Sequence, residues 1–213
     1  MKTGRISRQT LQRMPSYLNY LEHIRSRDEK YISAPTIAKS LRLNEVQVRK
    51  DIAMVSSVSG KPRLGFEIDR LITDIKTFLG YADIDRAVLI GAGHLGRALL
   101  SYTGYSDYGL EIVAAFDTSK DVVGTVINEK PVLDMSLLEK TVREKEVDIG
   151  IITVSAENAQ SACNELVRCG IKAIWNFAPT YIEVPESILI QNENTAASLA
   201  FLSLHLRHYQ SKG

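Results

Sequence analysis

Over roughly the first eighty positions, hydrophobic residues recur with a helical period. Leu11, Met14, Tyr17, Leu18 and Leu21 share one face of residues 7–24, which predicts an amphipathic helix. Pro15 falls inside this pattern, and proline is best tolerated in a first turn, so the helix is expected to begin near Met14. Ser33 reads as the N-cap of a short helix over 36–41, with Pro35 in its first turn and Ile37, Ala38 and Leu41 facing inwards. Residues 42–44 form a turn whose last member, Asn44, caps a third helix over 45–55. That helix is expected to bury Val46, Val48, Ile52 and Val55 and to expose Gln47, Arg49 and Lys50. Residues 56–66 read as a turn-rich hairpin carrying Lys61 and Arg63. An amphipathic helix over 68–79 (Leu71, Ile72, Ile75, Phe78, Leu79) stops at Gly80 and is expected to link this region to the next.

Beyond residue 80 the pattern changes to continuous apolar runs alternating with helical segments, which predicts a parallel sheet covered by helices. Strands are expected at 87–90, 112–116, 147–154, 171–175 and 188–190, with a loop and a possible short strand over 120–130. Ser136 is expected to cap a helix reaching residue 145, with Glu139 completing a capping box, and a further helix over 158–169 closes at Gly170. A last helix, residues 195–209, carries Leu199, Phe201, Leu202, Leu204 and Leu206 around most of its surface. Such a helix needs burial on several sides, and insertion into a partner subunit would supply it.

The stretch at 91–96 organises this second region. A buried strand runs into Gly91-Ala92-Gly93-His94-Leu95-Gly96, and a helix follows. Gly91 permits the sharp turn, Gly93 lets the backbone approach a pyrophosphate, and Gly96 lets the helix pack against the strand. The phosphates would sit at the helix N-terminus, on free N–H groups at the positive end of the dipole. Asp117 ends the next strand about 20 residues later, where such units place the ribose of the adenosine half. Thr153, Val154, Ser155 and Asn176 lie at the carboxyl ends of later strands, on the side where open parallel sheets bind ligands. The plain alternative is a ligand-free glycine turn with a capping aspartate.

The net charge of +1 conceals an asymmetry. Residues 1–80 hold 15 Lys/Arg against 8 Asp/Glu, net +7, whereas residues 81–213 hold 11 against 17, net −6. A basic first part suggests a polyanionic partner for that part alone. Short helix, tight turn, then a helix with clustered polar and basic residues is the helix-turn-helix pattern, and the following hairpin reads as a wing. The candidate DNA-contacting residues are Ser33, Gln47, Arg49, Lys50, Lys61 and Arg63. Two cysteines, Cys163 and Cys169, six apart on one helix, suit neither a disulfide nor a metal site, and no metal is expected. No apolar run reaches membrane-spanning length and no secretory leader is seen, so a cytoplasmic protein is expected. An enzyme is disfavoured: His23, His94, His205 and His208 are the only histidines, none has an evident acid–base partner at the strand ends, and little chain remains for a substrate domain.

The set Gln47-Val48-Arg49-Lys50-Asp51, Gly91 through Leu100, Ala115-Phe116-Asp117, Thr153 through Glu157 and Asn176-Phe177-Ala178-Pro179 resembles the Rex family of redox-sensing transcriptional repressors, in order and over nearly the whole chain. The resemblance implies an α/β chain: a winged helix-turn-helix domain (1–80), a Rossmann-type NAD(H)-binding domain (81–192) and a C-terminal helix (193–213) swapped within a homodimer. It implies a palindromic operator in double-stranded DNA, bound when NADH is low and released when NADH is high. It places Tyr102 near the nicotinamide. A regulator whose Rossmann-type domain senses another nucleotide, such as a CoA ester, or serves only dimerisation, stays open beside it.

The chain also departs from the family's pattern. The wing runs Met54-Val55-Ser56 and then Gly60 through Phe66, one residue longer than Tyr-Phe-Gly followed by Gly-Lys-Arg-Gly-Val-Gly-Tyr. The family's redox-dependent network joins a first-helix Arg and an Asp before the terminal helix to the Tyr. Asn19 and Asn194 stand at the matching positions, with Thr195 in place of the neighbouring aromatic residue.

Overall fold

The protein is described from a computed structural model covering residues 7–26 and 29–210. It divides between Asp83 and Ile84 into two compact units. The first contains α1 (Arg8–Arg25), β1 (Tyr31–Ile32), α2 (Ala34–Leu41), α3 (Glu45–Val55), β2 (Phe66–Glu67) and α4 (Ile68–Leu79).

Helix α1 starts at its Ser7 cap, whose hydroxyl accepts from the Thr10 N–H at 3.1 Å, and runs through Pro15. The expected start near Met14 is therefore corrected. Proline costs one internal bond, and the burial of Met14, Tyr17, Leu18 and Leu21 on the continuous helix outweighs it. Leu11, expected on that face, is 42% exposed. Ser33 caps α2 as expected, Arg42 turns the chain in the left-handed conformation (φ 54°), and Asn44 caps α3. Val48 and Ile52 are fully buried, but Val46 is 60% exposed, contrary to expectation. Two residues along a helix turn a side chain by about 200°, so Val46 cannot share the face of Val48.

The expected hairpin is only a tight turn. Lys61 and Gly65 exchange backbone hydrogen bonds at 2.7 and 2.9 Å, and the chain then leaves to pair antiparallel with β1. Gly65 has φ +88°, and a Cβ there would meet the Ile32 carbonyl oxygen at 2.1 Å, so this approach of β2 to β1 requires glycine. Helix α4 has the expected ends but is a core element rather than a linker. Leu71, Ile72 and Ile75 join Met14, Tyr17, Leu18 and Leu21, and Lys76 pairs with Glu22 at 2.7 Å.

The second unit holds β3 (Asp85–Ile90), α5 (His94–Ser101), β4 (Leu110–Asp117), β5 (Val126–Ile127), β6 (Lys130–Asp134), α6 (Leu138–Glu144), β7 (Ile149–Ile152), α7 (Ala156–Arg168), β8 (Ala173–Asn176), β9 (Leu189–Asn192) and α8 (Thr195–Gln210). The sheet order is β5-β6-β4-β3-β7-β8-β9, parallel throughout except for the β5/β6 edge pair. Without β5 this is the doubly wound order 3-2-1-4-5-6, whose switch point lies between β3 and β7. Alternation along β3 sends Val88 and Ile90 into one core with α6 and α7, and Ala87 and Leu89 into another with Leu100 of α5. The strand β6, between β4 and the edge, was not expected from the sequence. The expected Ser136 cap is also corrected. Asp134 accepts from both the N–H and the hydroxyl of Ser136, heading a 3₁₀ turn, Met135–Leu137, ahead of α6. Among the described residues, no helix is long and apolar enough to cross a membrane, and no group of three or more His, Cys, Asp or Glu could hold a metal ion.

Candidate nucleotide and nucleic-acid sites

The glycine turn lies at the carboxyl end of β3, at the switch point. Gly91 takes φ +102°, and a Cβ would meet Val154 Cγ1 at 2.8 Å. A Cβ on Gly96 would lie 2.0 Å from the Gly91 carbonyl oxygen and 3.0 Å from Thr153 Oγ1, so α5 can sit against the turn only with glycine there. Gly93 differs: nothing lies within 4 Å of a Cβ built on it, and its φ of −71° is ordinary. Packing explains Gly91 and Gly96, whereas at Gly93 the absent side chain leaves open space beside the start of α5. His94 and Leu95 are exposed in the first turn of that helix, and Ala92 is buried.

Asp117 braces the turn. Its Oδ2 accepts from the Ala92 N–H at 2.7 Å and its Oδ1 from the Ser119 N–H at 2.8 Å. Each carboxylate oxygen retains accepting capacity for a ribose hydroxyl. Arg97, which sequence reasoning passed over, donates Nε to the Ala92 carbonyl at 3.1 Å and holds a cation beside the turn. Thr153 is held inwards, its hydroxyl donating to the carbonyls of Ile90 and Gly91 at 3.1 and 2.7 Å. Ser155 is exposed at the start of α7, and its hydroxyl accepts from Asn158 Nδ2.

Asn176 has a different job from the expected ligand contact. It is fully buried, its Nδ2 donates to Thr180 O at 3.1 Å and Asn192 Oδ1 at 2.9 Å, and its Oδ1 accepts from Ala178 N–H at 3.0 Å. With both ends of the amide engaged, it staples β8, β9 and the following loop. Tyr102 ends α5, half exposed, and begins an aromatic series. It meets Tyr105 edge-on at 4.9 Å, Tyr105 meets Trp175 at 6.0 Å, and Trp175 meets Phe177 at 4.7 Å. Trp175 Nε1 donates to Glu193 at 2.8 Å, next to Asn194, whose Oδ1 accepts from Ala197 N–H and caps α8.

In the first unit, α3 presents Val46, Arg49 and Lys50 to solvent. Arg49 pairs with Glu45 one turn back. Gln47 is only half exposed, and its Nε2 donates to Asp51 Oδ1 at 2.9 Å. Ser33 is half-buried as the α2 cap. Lys61 donates to Tyr31 Oη at 2.9 Å, its ammonium also 4.9 Å from that ring, and Arg63 is exposed at the turn tip in the left-handed conformation. The residue missed from the sequence is Asp51, 1% exposed. Its carboxylate accepts from Arg13 Nε at 2.7 Å, Arg13 Nη2 at 3.0 Å and Tyr17 Oη at 2.7 Å, with a longer contact from Thr10. Burial pushes the Asp51 carboxyl up, but the hydrogen bonds from Arg13, Tyr17 and Gln47, with the Arg13 charge, hold it below the usual carboxylate range. Burial, then the Asp51 bond, pushes the Tyr17 hydroxyl up to about 12.

A helix-turn-helix unit with an exposed basic second helix, joined in one chain to a doubly wound unit with an open glycine turn at its switch point, is the architecture of a ligand-responsive transcription regulator. The family model described as "CoA binding domain" matches residues 82–180, and the one described as "Putative DNA-binding protein N-terminus" matches residues 5–53. The chain is 42% identical to the redox-sensing transcriptional repressor Rex of Bacteroides fragilis over 91% of its length and 87% of that protein. It is also 42% identical to Rex of Treponema denticola, over 92% of both chains. The crystal structure of RSP in complex with beta-NAD+ and operator DNA matches with a TM-score of 0.88 at 30% identity, covering 98% of this chain and 95% of that one. RSP in complex with beta-NADH matches at 0.87 and 29%, covering 98% and 97%. The chain belongs to the Rex family of redox-sensing transcriptional repressors.

Proposed function

We propose that this chain is a homodimeric repressor that binds a palindromic operator and releases it when NADH occupies the glycine turn. The observation that carries the reading is the open backbone at Gly93, beside Asp117 and the start of α5, in the same chain as an exposed basic α3. Gly91, Ala92, Gly93, His94, Leu95 and Gly96 would cradle the diphosphate on the N-terminus of α5, with Arg97 adding charge. Asp117 would accept from the adenosine ribose. Tyr102, Val154 and Ser155 would flank the nicotinamide, with Thr153 shaping the turn behind them. Gln47, Arg49 and Lys50 would enter the major groove, with Ser33, Lys61 and Arg63 on the backbone. The RSP complexes with beta-NAD+ and operator DNA and with beta-NADH support this reading. No enzymatic step is assigned, and a steady absence of NADH oxidation with common keto acids would agree with that.

Release by NADH requires that NADH and NAD+ differ in affinity for the two arrangements of the dimer, since equal affinities shift nothing. Calorimetric titration is expected to show NADH binding more tightly than NAD+, and gel-shift assays to show operator release by NADH. Asp117 also sets a cofactor choice. NADPH carries a 2′-phosphate and CoA a 3′-phosphate, and either would meet this carboxylate, so both should bind at least about tenfold more weakly than NADH. Equal or undetectable binding of NADH and NAD+ would sink the redox reading, and preferential binding of CoA would replace it with an acyl-nucleotide sensor.

The dimer reading rests on α8. Leu199, Phe201, Leu202, Leu204 and Leu206 are each more than half exposed in the single chain. An apolar surface of this size calls for a partner, and insertion of α8 into a second copy, exchanged both ways, satisfies it symmetrically. Replacing Leu202 and Leu206 together by Glu removes nothing buried in the monomer, so the variant should fold and sediment as a monomer. A variant that remains dimeric would place the interface elsewhere.

A further inference from the structure

We infer that Tyr31 and Lys61 form a clamp at the root of the wing turn, in which the Tyr31 hydroxyl and the Lys61 ammonium together bind one phosphate of the operator backbone. The inference rests on the reading that this turn lies against the DNA backbone. Its observation is the 2.9 Å contact between Lys61 Nζ and Tyr31 Oη. An ammonium can only donate, so the phenol oxygen accepts in this contact and keeps its own hydrogen. Among the described residues, nothing accepts that hydrogen. The neighbouring Ile32 is buried, and successive strand residues point to opposite sides, so Tyr31 faces outwards and its contact with Lys61 is exposed.

An uncommitted O–H beside an ammonium suits an anion, whose oxygens accept from both. The two donor atoms are close enough to meet neighbouring oxygens of one phosphate. The surroundings hold them in place. The Lys61 ammonium lies 4.9 Å from the centre of the Tyr31 ring and the Lys30 ammonium 5.9 Å, both within cation–π reach, so the ring gathers two cations. The Lys61 backbone is tied to Gly65, and a Cβ on Gly65 would lie 2.8 Å from Ser33 Cα. The turn therefore packs against the N-terminus of α2, whose dipole also favours an anion. Glu67, opposite Tyr31 in the β1/β2 register, works against an anion, and the two lysines at the ring outweigh it. A phosphate contact carries no base information, so the clamp adds affinity and register rather than sequence preference.

The test uses the full-length chain, without NADH, on an operator selected from a random duplex pool. Tyr31→Phe keeps the ring and removes only the exposed hydroxyl, so it should fold as wild type does. It should weaken operator binding about tenfold at every salt concentration, since a dimer loses two hydrogen bonds. It should leave the slope of log affinity against log salt unchanged, because a neutral donor releases no counterion. Lys61→Gln should instead make that slope shallower by about 0.9 for each protomer bound. Operator phosphates are then replaced one at a time by methylphosphonate. Wild type should lose affinity at one phosphate in each half-site where both variants lose less. Tyr31→Phe binding as tightly as wild type would overturn the clamp, and so would the two variants losing sensitivity at different phosphates. A slope that falls in Tyr31→Phe as it does in Lys61→Gln would overturn it too, because Tyr31 would then act only by holding Lys61. A Lys61→Gln chain with wild-type affinity and slope would fail the wing reading itself, and the clamp with it.

Discussion

Asp51→Ala should destabilise the N-terminal unit by about 3 kcal/mol, the lower part of the range for removing one partner of a buried pair. The carboxylate is 1% exposed and, among the described residues, the only acceptor for Tyr17 Oη, and Tyr17 is itself fully buried. Removing it strands a buried hydroxyl and a guanidinium, and the guanidinium, 22% exposed, can recover part of its hydration from water. The loss also detaches α3 from α1, so operator affinity should fall along with stability. Chemical denaturation with a fluorescence or circular-dichroism readout measures the first effect. The same group sets an acid limb. The folded-state carboxyl lies below its unfolded value of about 3.9, so its contribution is fully present above that pH and is lost as pH falls towards the folded value. Between about pH 4 and lower values, wild type should lose stability more steeply than Asp51→Asn, whose side chain does not titrate. Parallel acid limbs for the two proteins would remove Asp51 from the account.

Most of the architecture was legible because it rests on local chemistry. The caps at Ser33 and Asn44, the αL stop at Gly80 and the apolar runs of β3 and β4 follow from residues within a few positions of one another. What escaped depends on partners distant in sequence. β1 is two residues long and is defined by pairing with β2, more than thirty positions later. β6 contains Lys130, Pro131 and Asp134 and is a strand because β4 lies beside it. Asp51 sits in a helix whose neighbours are basic, and its periodic position, three after Val48, was the available signal that it points inwards. At the sites, residue type told less than surroundings. Asn176 has the right place for a ligand contact but commits its amide to the fold, and Gln47 gives one N–H to Asp51.

The departures at Asn19 and Asn194 bear on how a ligand signal would travel. Neutral amides cannot form the charge-dependent network that the family resemblance implies, and Asn194 already caps α8. The contact from Trp175 to Glu193 joins the aromatic series that begins at Tyr102 to the base of α8. Trp175 is the only tryptophan in the chain, so its emission reports directly on that link.

The glycine turn yields the other large effect, because Gly93 and Gly96 should fail in different ways. In Gly96→Val the first new carbon would fall 2.0 Å from the Gly91 carbonyl oxygen, which is backbone and cannot swing aside. Helix α5 would have to lift from β3, at a cost of about 3 kcal/mol, the upper end for overpacking, so stability should fall and nucleotide binding should be lost. In Gly93→Val the first new carbon meets nothing within 4 Å, and the backbone angle suits any residue. Stability should then change by no more than about 1 kcal/mol, the scale of a poorer N-cap. The side chain would nevertheless fill the space assigned to the diphosphate, and NADH affinity should drop at least about a hundredfold, since the backbone N–H groups could no longer be reached. Thermal melts and calorimetry on both variants separate the two mechanisms. A Gly93→Val chain that binds NADH as wild type does would show that the phosphates lie elsewhere. A Gly96→Val chain of wild-type stability would show that α5 can move away from the turn at little cost, and the close packing would then lose its force as an explanation of the motif.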